Sequence, residues 1–174
     1  MRHKNFDGLD VFVAERGSAL LATAVFLTGS RVAGEDLLQA ALERLMRKWH
    51  RVRGDPEGYL RRMLYHLAVD QWRGRRRRQE VLMDVDPGSQ PSGTDDLHLR
   101  QALIQALAAL PPRQRVVLVL RYWEELSEAE IAATLGCSAG TVKSSASRGL
   151  ARLREVTAEM WAPEELMSKT EQRR

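Results

Sequence analysis

One cysteine is all that this 174-residue chain contains, so an internal disulfide is excluded and no paired-cysteine metal-ligand spacing exists. A lone thiol fits a reducing compartment, and Cys137, in a Gly-Cys-Ser turn, reads as a small packing residue. The four histidines, His3, His50, His66 and His98, lie far apart in the sequence and lack metal-ligand spacing. No Gly-rich, phosphate-cradling loop of the P-loop type occurs. These absences argue against an enzyme and against any metal or cofactor. No uninterrupted apolar run reaches the ~18 residues of a membrane span. Arg2, His3 and Lys4 are followed by Asp7, Asp10, Glu15 and Arg16, which interrupt any signal-type apolar core. A cytoplasmic protein without membrane contact is therefore expected.

Charge is present but uneven. The formal net charge is +4, and the basic residues are concentrated in blocks. Arg73, Arg75, Arg76, Arg77 and Arg78 form one block, and no Lys or Arg occurs from Gln79 to Leu99, where Asp84, Asp86, Asp95 and Asp96 fall. Basic segments flanking an acidic one suggest nucleic-acid contact at two places, with a connector between them that avoids it.

Strand-type alternation is missing, and helical periodicity takes its place. Apolar residues recur at three-and-four spacing from Phe6 to Leu27, from Val32 to Trp49 and from Glu57 to Arg73. Thr28-Gly29-Ser30 and Gly54-Asp55-Pro56 punctuate them, and Pro56 suits the first turn of a helix. Three such faces predict a compact N-terminal helical bundle over residues 1–78. The period is lost over residues 79–96, whose Pro, Gly and Ser content is that of a linker. Helical order resumes in a second domain over residues 97–155, and residues 156–174 form a tail. The expected fold is all-α: two helical domains joined by a flexible connector.

The second domain ends in a helix-turn-helix pattern. Ser127 and Glu130 have capping-box spacing, and Gly136 suits a left-handed helix end. Ser138 can cap the next helix, which runs from Ala139 to about Arg154. That helix carries Lys143, Arg148, Arg152 and Arg154 on one side and Val142, Leu150 and Leu153 on another. Ser144, Ser145 and Ser147 are small enough to let its backbone approach base edges. Two short helices around a tight turn, the second basic, suit entry into the major groove.

Three stretches carry a family resemblance. The first is Gly34-Glu35-Asp36-Leu37-Leu38-Gln39-Ala40-Ala41-Leu42-Glu43-Arg44-Leu45. The second runs from Asp55-Pro56-Glu57-Gly58-Tyr59-Leu60-Arg61-Arg62 through Asp70-Gln71-Trp72-Arg73. The third runs from Ala109-Leu110-Pro111-Pro112-Arg113-Gln114-Arg115 through Gly140-Thr141-Val142-Lys143-Ser144. In this order and spacing the chain resembles an extracytoplasmic-function (group IV) RNA polymerase sigma factor of the actinobacterial type.

The resemblance implies sigma domain 2, a linker and sigma domain 4, with core RNA polymerase, promoter DNA and an anti-sigma factor as partners. It assigns Asp36, Gln39 and Glu43, which share one helix face, to polymerase binding. It assigns Arg62, Tyr65, His66, Arg73, Arg75 and Arg76 to the −10 element, where cations hold phosphates and aromatics stack on unpaired bases. It assigns Thr141, Lys143, Ser144, Ser147 and Arg148 to the −35 element. Lys143 or Arg148 can address guanine there, and Thr141 can hold a phosphate near the helix start. The linker spans at most ~60 Å when stretched and ~25 Å as a coil. Elements some sixteen base pairs apart lie ~55 Å apart. A stand-alone helix-turn-helix regulator is the alternative; it needs tight DNA binding without polymerase, usually as a dimer on a palindrome, and no dimerising heptad is present.

Overall fold

The computed structural model describes residues 8–77 and 95–160, with side chains over 8–74 and 97–159. Most of the expected linker and most of the expected tail lie outside the described residues. Seven α-helices follow in order: α1 Leu9–Thr28, α2 Arg31–Lys48, α3 Pro56–Arg77, α4 Asp95–Ala108, α5 Pro112–Leu118, α6 Glu128–Leu135 and α7 Ala139–Met160. A 3-10 turn, Trp49–Arg51, follows α2, and a π-helical turn, Val119–Trp123, continues α5.

Local chemistry sets the boundaries. α1 ends at Gly29, whose φ of 73° is left-handed and whose amide donates to the Val25 carbonyl. The Ser30 hydroxyl accepts from the Ala33 amide and starts α2. Asp55 does the same for α3, its Oδ1 accepting from the Gly58 amide at 2.9 Å, with Pro56 in the first turn. At α6 the capping box is complete: Ser127 Oγ accepts from the Glu130 amide, and the Glu130 carboxylate accepts from the Ser127 amide. Ser138 Oγ accepts from the Thr141 amide at the start of α7.

α1 and α2 form an antiparallel hairpin that α3 closes, while α7 is the spine against which α5 and α6 pack. The hairpin is tight at Gly34, where a Cβ would sit 2.8 Å from the Val25 backbone. The bundle core is Leu20, Leu27, Leu37, Leu45, Leu60 and Leu64; that of the second half is Val117, Leu120, Ile131 and Val142. α1 is long and apolar enough to cross a bilayer, with a mean hydropathy of 1.5 despite its charges, but its apolar residues Leu20, Ala24, Phe26 and Leu27 are spent in this core.

The two halves are not held apart. Their buried apolar side chains form one continuous cluster, with α1 against α4 and α5 and α3 against α5 and α6. Helical order also exceeds the sequence expectation at two ends. α4 begins at Asp95, inside the expected linker, and α7 runs to Met160 with Val156 buried, inside the expected tail.

Candidate nucleic-acid interface

The helix-turn-helix is formed by α6, Gly136 at φ 61°, and α7. At about 100° per residue, Thr141, Lys143, Ser144, Ser147 and Arg148 fall on one side of α7. Lys143, Ser147 and Arg148 are exposed, and Thr141 and Ser144 are half-buried. Arg148 lies back along the helix: its Nη2 donates to Ser144 Oγ and its Nε to the Ser144 carbonyl, both at 3.2 Å. A guanidinium fixed in this way points in a set direction. Ser145 departs from the sequence reading. It follows Val142 and Ala146 into the core and is buried, so it does not line the groove-facing side.

On α3, Arg62, His66, Asp70 and Arg73 are exposed along one stripe. Arg75 and Arg76 extend the helix, but their side chains lie outside the described ones. The stripe begins beside a cleft of about 590 Å³ lined by Lys48, Arg51, Val52, Arg53, Asp55, Tyr59 and Arg62. Four cations and one carboxylate give the cleft a positive field, and Tyr59 adds an aromatic wall. Such a concavity suits a phosphate with an unpaired base. Lys48, Arg51, Arg53 and Tyr59 were missed from sequence. Their signal was the run of basic residues just before Gly54-Asp55-Pro56, which is less dense than the arginine block after Trp72.

Tyr65 is elsewhere. With Arg61 and Trp72 it forms a second stripe of α3, turned toward the C-terminal half. Tyr65 is 3% exposed, and its hydroxyl donates to Glu124 Oε2 at 2.6 Å. Burial, then the hydrogen bond and charge of Glu124, push this phenol well above its ordinary range. Arg61 Nη1 donates to the same Glu124 oxygen at 3.2 Å and Nη2 to Glu57 at 2.7 Å. Thr23 Oγ1 donates to the other Glu124 oxygen at 2.7 Å and accepts from Trp123 Nε1 at 3.1 Å. The Trp123 ring meets Phe26 edge-on, and Arg113 lies over the Trp72 ring. The structure therefore groups Arg62, His66 and Arg73 and separates Tyr65 from them.

Asp36, Gln39 and Glu43 are all exposed on the outer face of α2, and Gln39 Nε2 donates to Glu43 at 3.3 Å. The opposite face supplies Leu37, Ala41 and Leu45 to the core. Among the described residues, no cluster of His, Cys, Asp and Glu has the makings of a metal site.

Two family models match the chain. Residues 12–78 match the sigma-70 region 2 family, and residues 100–153 match the sigma-70 region 4 family. The chain is 42% identical to an RNA polymerase sigma-E factor of Streptomyces coelicolor over 147 residues, which cover 83% of this chain and 82% of that one. It is 35% identical to an extracytoplasmic-function sigma factor of Mycolicibacterium smegmatis, covering 86% of this chain and 61% of the other. Among solved structures it is similar to the sigma factor of Bartonella quintana crystallised with the anti-sigma factor NepR, with a TM-score of 0.60 and 28% identity over 86% of this chain and 96% of that chain. Both halves, in this order, favour a polymerase subunit over a stand-alone regulator: the chain belongs to the extracytoplasmic-function group of RNA polymerase sigma factors, the promoter-specificity subunits of bacterial transcription.

Proposed function

We propose that the cationic cleft between α2 and α3 receives the unpaired −10 strand, and that Arg62, His66, Arg73, Arg75 and Arg76 guide that strand along α3. The observation that carries this reading is the continuity of the cleft with the exposed stripe, since Arg62 belongs to both. Cations hold the backbone while Tyr59 stacks on a base, at about 1–3 kcal/mol per stacked base. Lys143 and Arg148 read the −35 element in the major groove. Thr141, Ser144 and Ser147 fix the approach of the helix to the backbone.

Asp36, Gln39 and Glu43 dock on core RNA polymerase, which supplies the catalysis; this chain contributes binding energy and no chemistry of its own. The site of action is the cytoplasm. The Bartonella relative was crystallised in complex with an anti-sigma factor, and this chain likewise binds an anti-sigma factor. Run-off transcription with core polymerase, followed by mapping of the start sites, tests the reading. The wild type should initiate at discrete sites sharing two elements. Arg51→Ala/Arg53→Ala/Tyr59→Ala should initiate at least roughly tenfold less while still shifting −35 DNA, because several phosphate contacts and one stacking platform are lost. Equal initiation by the triple variant would remove the cleft from the site.

A further inference from the structure

One face of α4 is buried at one end of the helix and bare at the other. At about 100° per residue, Leu99, Leu103, Ala106 and Leu107 share a side. Ala106 and Leu107 are 0% and 5% exposed, whereas Leu103 and Leu99 are 38% and 60% exposed. The turn from Leu97 to Arg100 is exposed at every residue. α7 lies alongside this helix. Val142, Ala146, Gly149, Leu153 and Val156 form the inner side of α7, and a Cβ on Gly149 would meet Leu118 of α5 at 3.2 Å and Gln114 at 3.3 Å. Val156 lies about 10 Å farther along the axis, yet it is only 7% exposed. α7 packs against α4, α5 and α6. α6 joins it at its start and α5 meets its middle, so α4 is left to cover its far end. α7 therefore ends beside α4.

We propose that the segment following α7, residues 161–174, lies along the bare face of α4, with Trp161 and Leu166 over Leu99 and Leu103. The segment lies outside the described residues; its sequence supplies the fit. Trp161, Leu166 and Met167 are apolar, and Pro163 cannot carry the hydrogen-bond ladder of α7 straight on. Its fourteen residues reach at most ~45 Å, about twice the ~21 Å of α4. Charge agrees as well. From Leu97 to Ala108, α4 carries Arg100 and no carboxylate, while Glu164 and Glu165 immediately precede Leu166. A second copy of the chain fits this face less well. Leu99 and Leu103, flanked by Leu97, offer roughly a few hundred Å², below the ~800 Å² per partner of a stable interface. A tethered segment needs no such area, because its effective concentration is of millimolar order. Docked there, Trp161 closes the α4–α7 pair from outside and steadies the far end of the helix that carries Lys143 and Arg148.

The test places a nitroxide at Ser168→Cys in the full chain with Cys137→Ser, and follows the leucine methyl signals by NMR. Leu99 and Leu103 should be strongly broadened, and reduction of the nitroxide should restore them. Trp161→Ser/Leu166→Ser should abolish the broadening while circular dichroism stays unchanged, because both residues lie beyond the helical core. Glu164→Lys/Glu165→Lys should weaken it in part, by setting cations against Arg100. Absence of broadening in the otherwise unmutated chain overturns the proposal, as does broadening that survives Trp161→Ser/Leu166→Ser. A mixed sample, with the nitroxide on copies that carry no NMR isotope, separates the occupants. Broadening in that sample as strong as in the doubly labelled chain assigns the face to a second copy and overturns the proposal. Leu99→Ser/Leu103→Ser gives the remaining control. If it weakens binding to core polymerase while the unmutated face shows no broadening from the nitroxide, the face belongs to polymerase and the segment does not cover it.

Discussion

The guanidinium of Arg73, near the end of α3, donates to the carbonyl of Leu135, the last residue of α6, at 2.6 Å. One side chain thus links the helix assigned to the −10 element with the turn that aims the −35 helix. Replacing Arg73 by Ala should lower the urea midpoint by the equivalent of about 1 kcal/mol, the net worth of one such bond at an accessible site. Arg73→Lys should recover part of that loss, since a single ammonium donor reaches a carbonyl but lacks the planar fork.

Two glycines should be intolerant for different reasons. At Gly34 a Cβ would sit 2.8 Å from the Val25 backbone, and at Gly29 it would sit 2.8 Å from the Ala108 Cα, with φ at 73°. Backbone cannot yield as a flexible side chain does, so each Ala substitution should cost about 1–3 kcal/mol. Gly34→Ala loosens the α1–α2 hairpin, whereas Gly29→Ala should also separate the halves. Thermal unfolding with the interdomain distance as a second probe distinguishes the two.

Two groups give opposite pH signatures. The Ser127 hydroxyl and amide hold the Glu130 carboxyl below its ordinary range. Its stabilisation is present above the unfolded value, near 4.5, and is lost as pH falls through the depressed folded value. The gap in thermal midpoint between wild type and Ser127→Ala should therefore be widest near neutrality and narrow in acid. Tyr65 is raised, so its stabilisation is complete below the unfolded value of 10.0 and fades as pH climbs beyond it. The gap between wild type and Tyr65→Phe should narrow only in alkali. A gap that does not change with pH would place either group outside these hydrogen bonds.

On α7, Lys143→Ala and Arg148→Ala should each cost on the order of 1–3 kcal/mol of DNA affinity and relax preference at one base pair. Ser144→Ala should mimic a fraction of the Arg148 effect, because it removes the hydroxyl on which that guanidinium rests. Competition binding against a library of −35 variants reads both. A uniform loss with a shallower salt slope would assign the residue to phosphate instead.

Charge reversal at Asp36 and Glu43 should reduce co-purification with core polymerase without loss of helicity, since both side chains point away from Leu37, Ala41 and Leu45. Circular dichroism and a pull-down on the same preparation check the two halves of that statement.

What the sequence made legible is local. The Ser127–Glu130 box, the Gly136 stop and the Gly54-Asp55-Pro56 start are interactions within four residues, and their chemistry is written in the residue types. The shared faces of α2 and α7 followed from periodicity alone, although that periodicity, applied strictly, also sends Ser145 inward. The seam between the halves was not legible. Thr23 and Glu124 are 101 residues apart, and Glu124-Glu125 reads as an ordinary acidic turn; nothing in the pattern marks one carboxylate as buried. The cleft was missed for a related reason, because Lys48, Arg51, Arg53 and Arg62 converge only when α3 folds back on α2.

The wide turn at Val119–Trp123 also sets the register of everything after it. A π-turn contains one residue more than the α-helical turn it replaces. Removing a single residue there would let α5 run on as regular helix and carry the following chain about 100° around its axis. The Trp123 indole and the Glu124 carboxylate would then face away from Thr23 and Tyr65, and the α6–α7 pair would be re-aimed as a unit. One inserted residue thus fixes both the contact between the halves and the bearing of the DNA-reading helix, so a change of length here alters more than any single side-chain substitution in the segment.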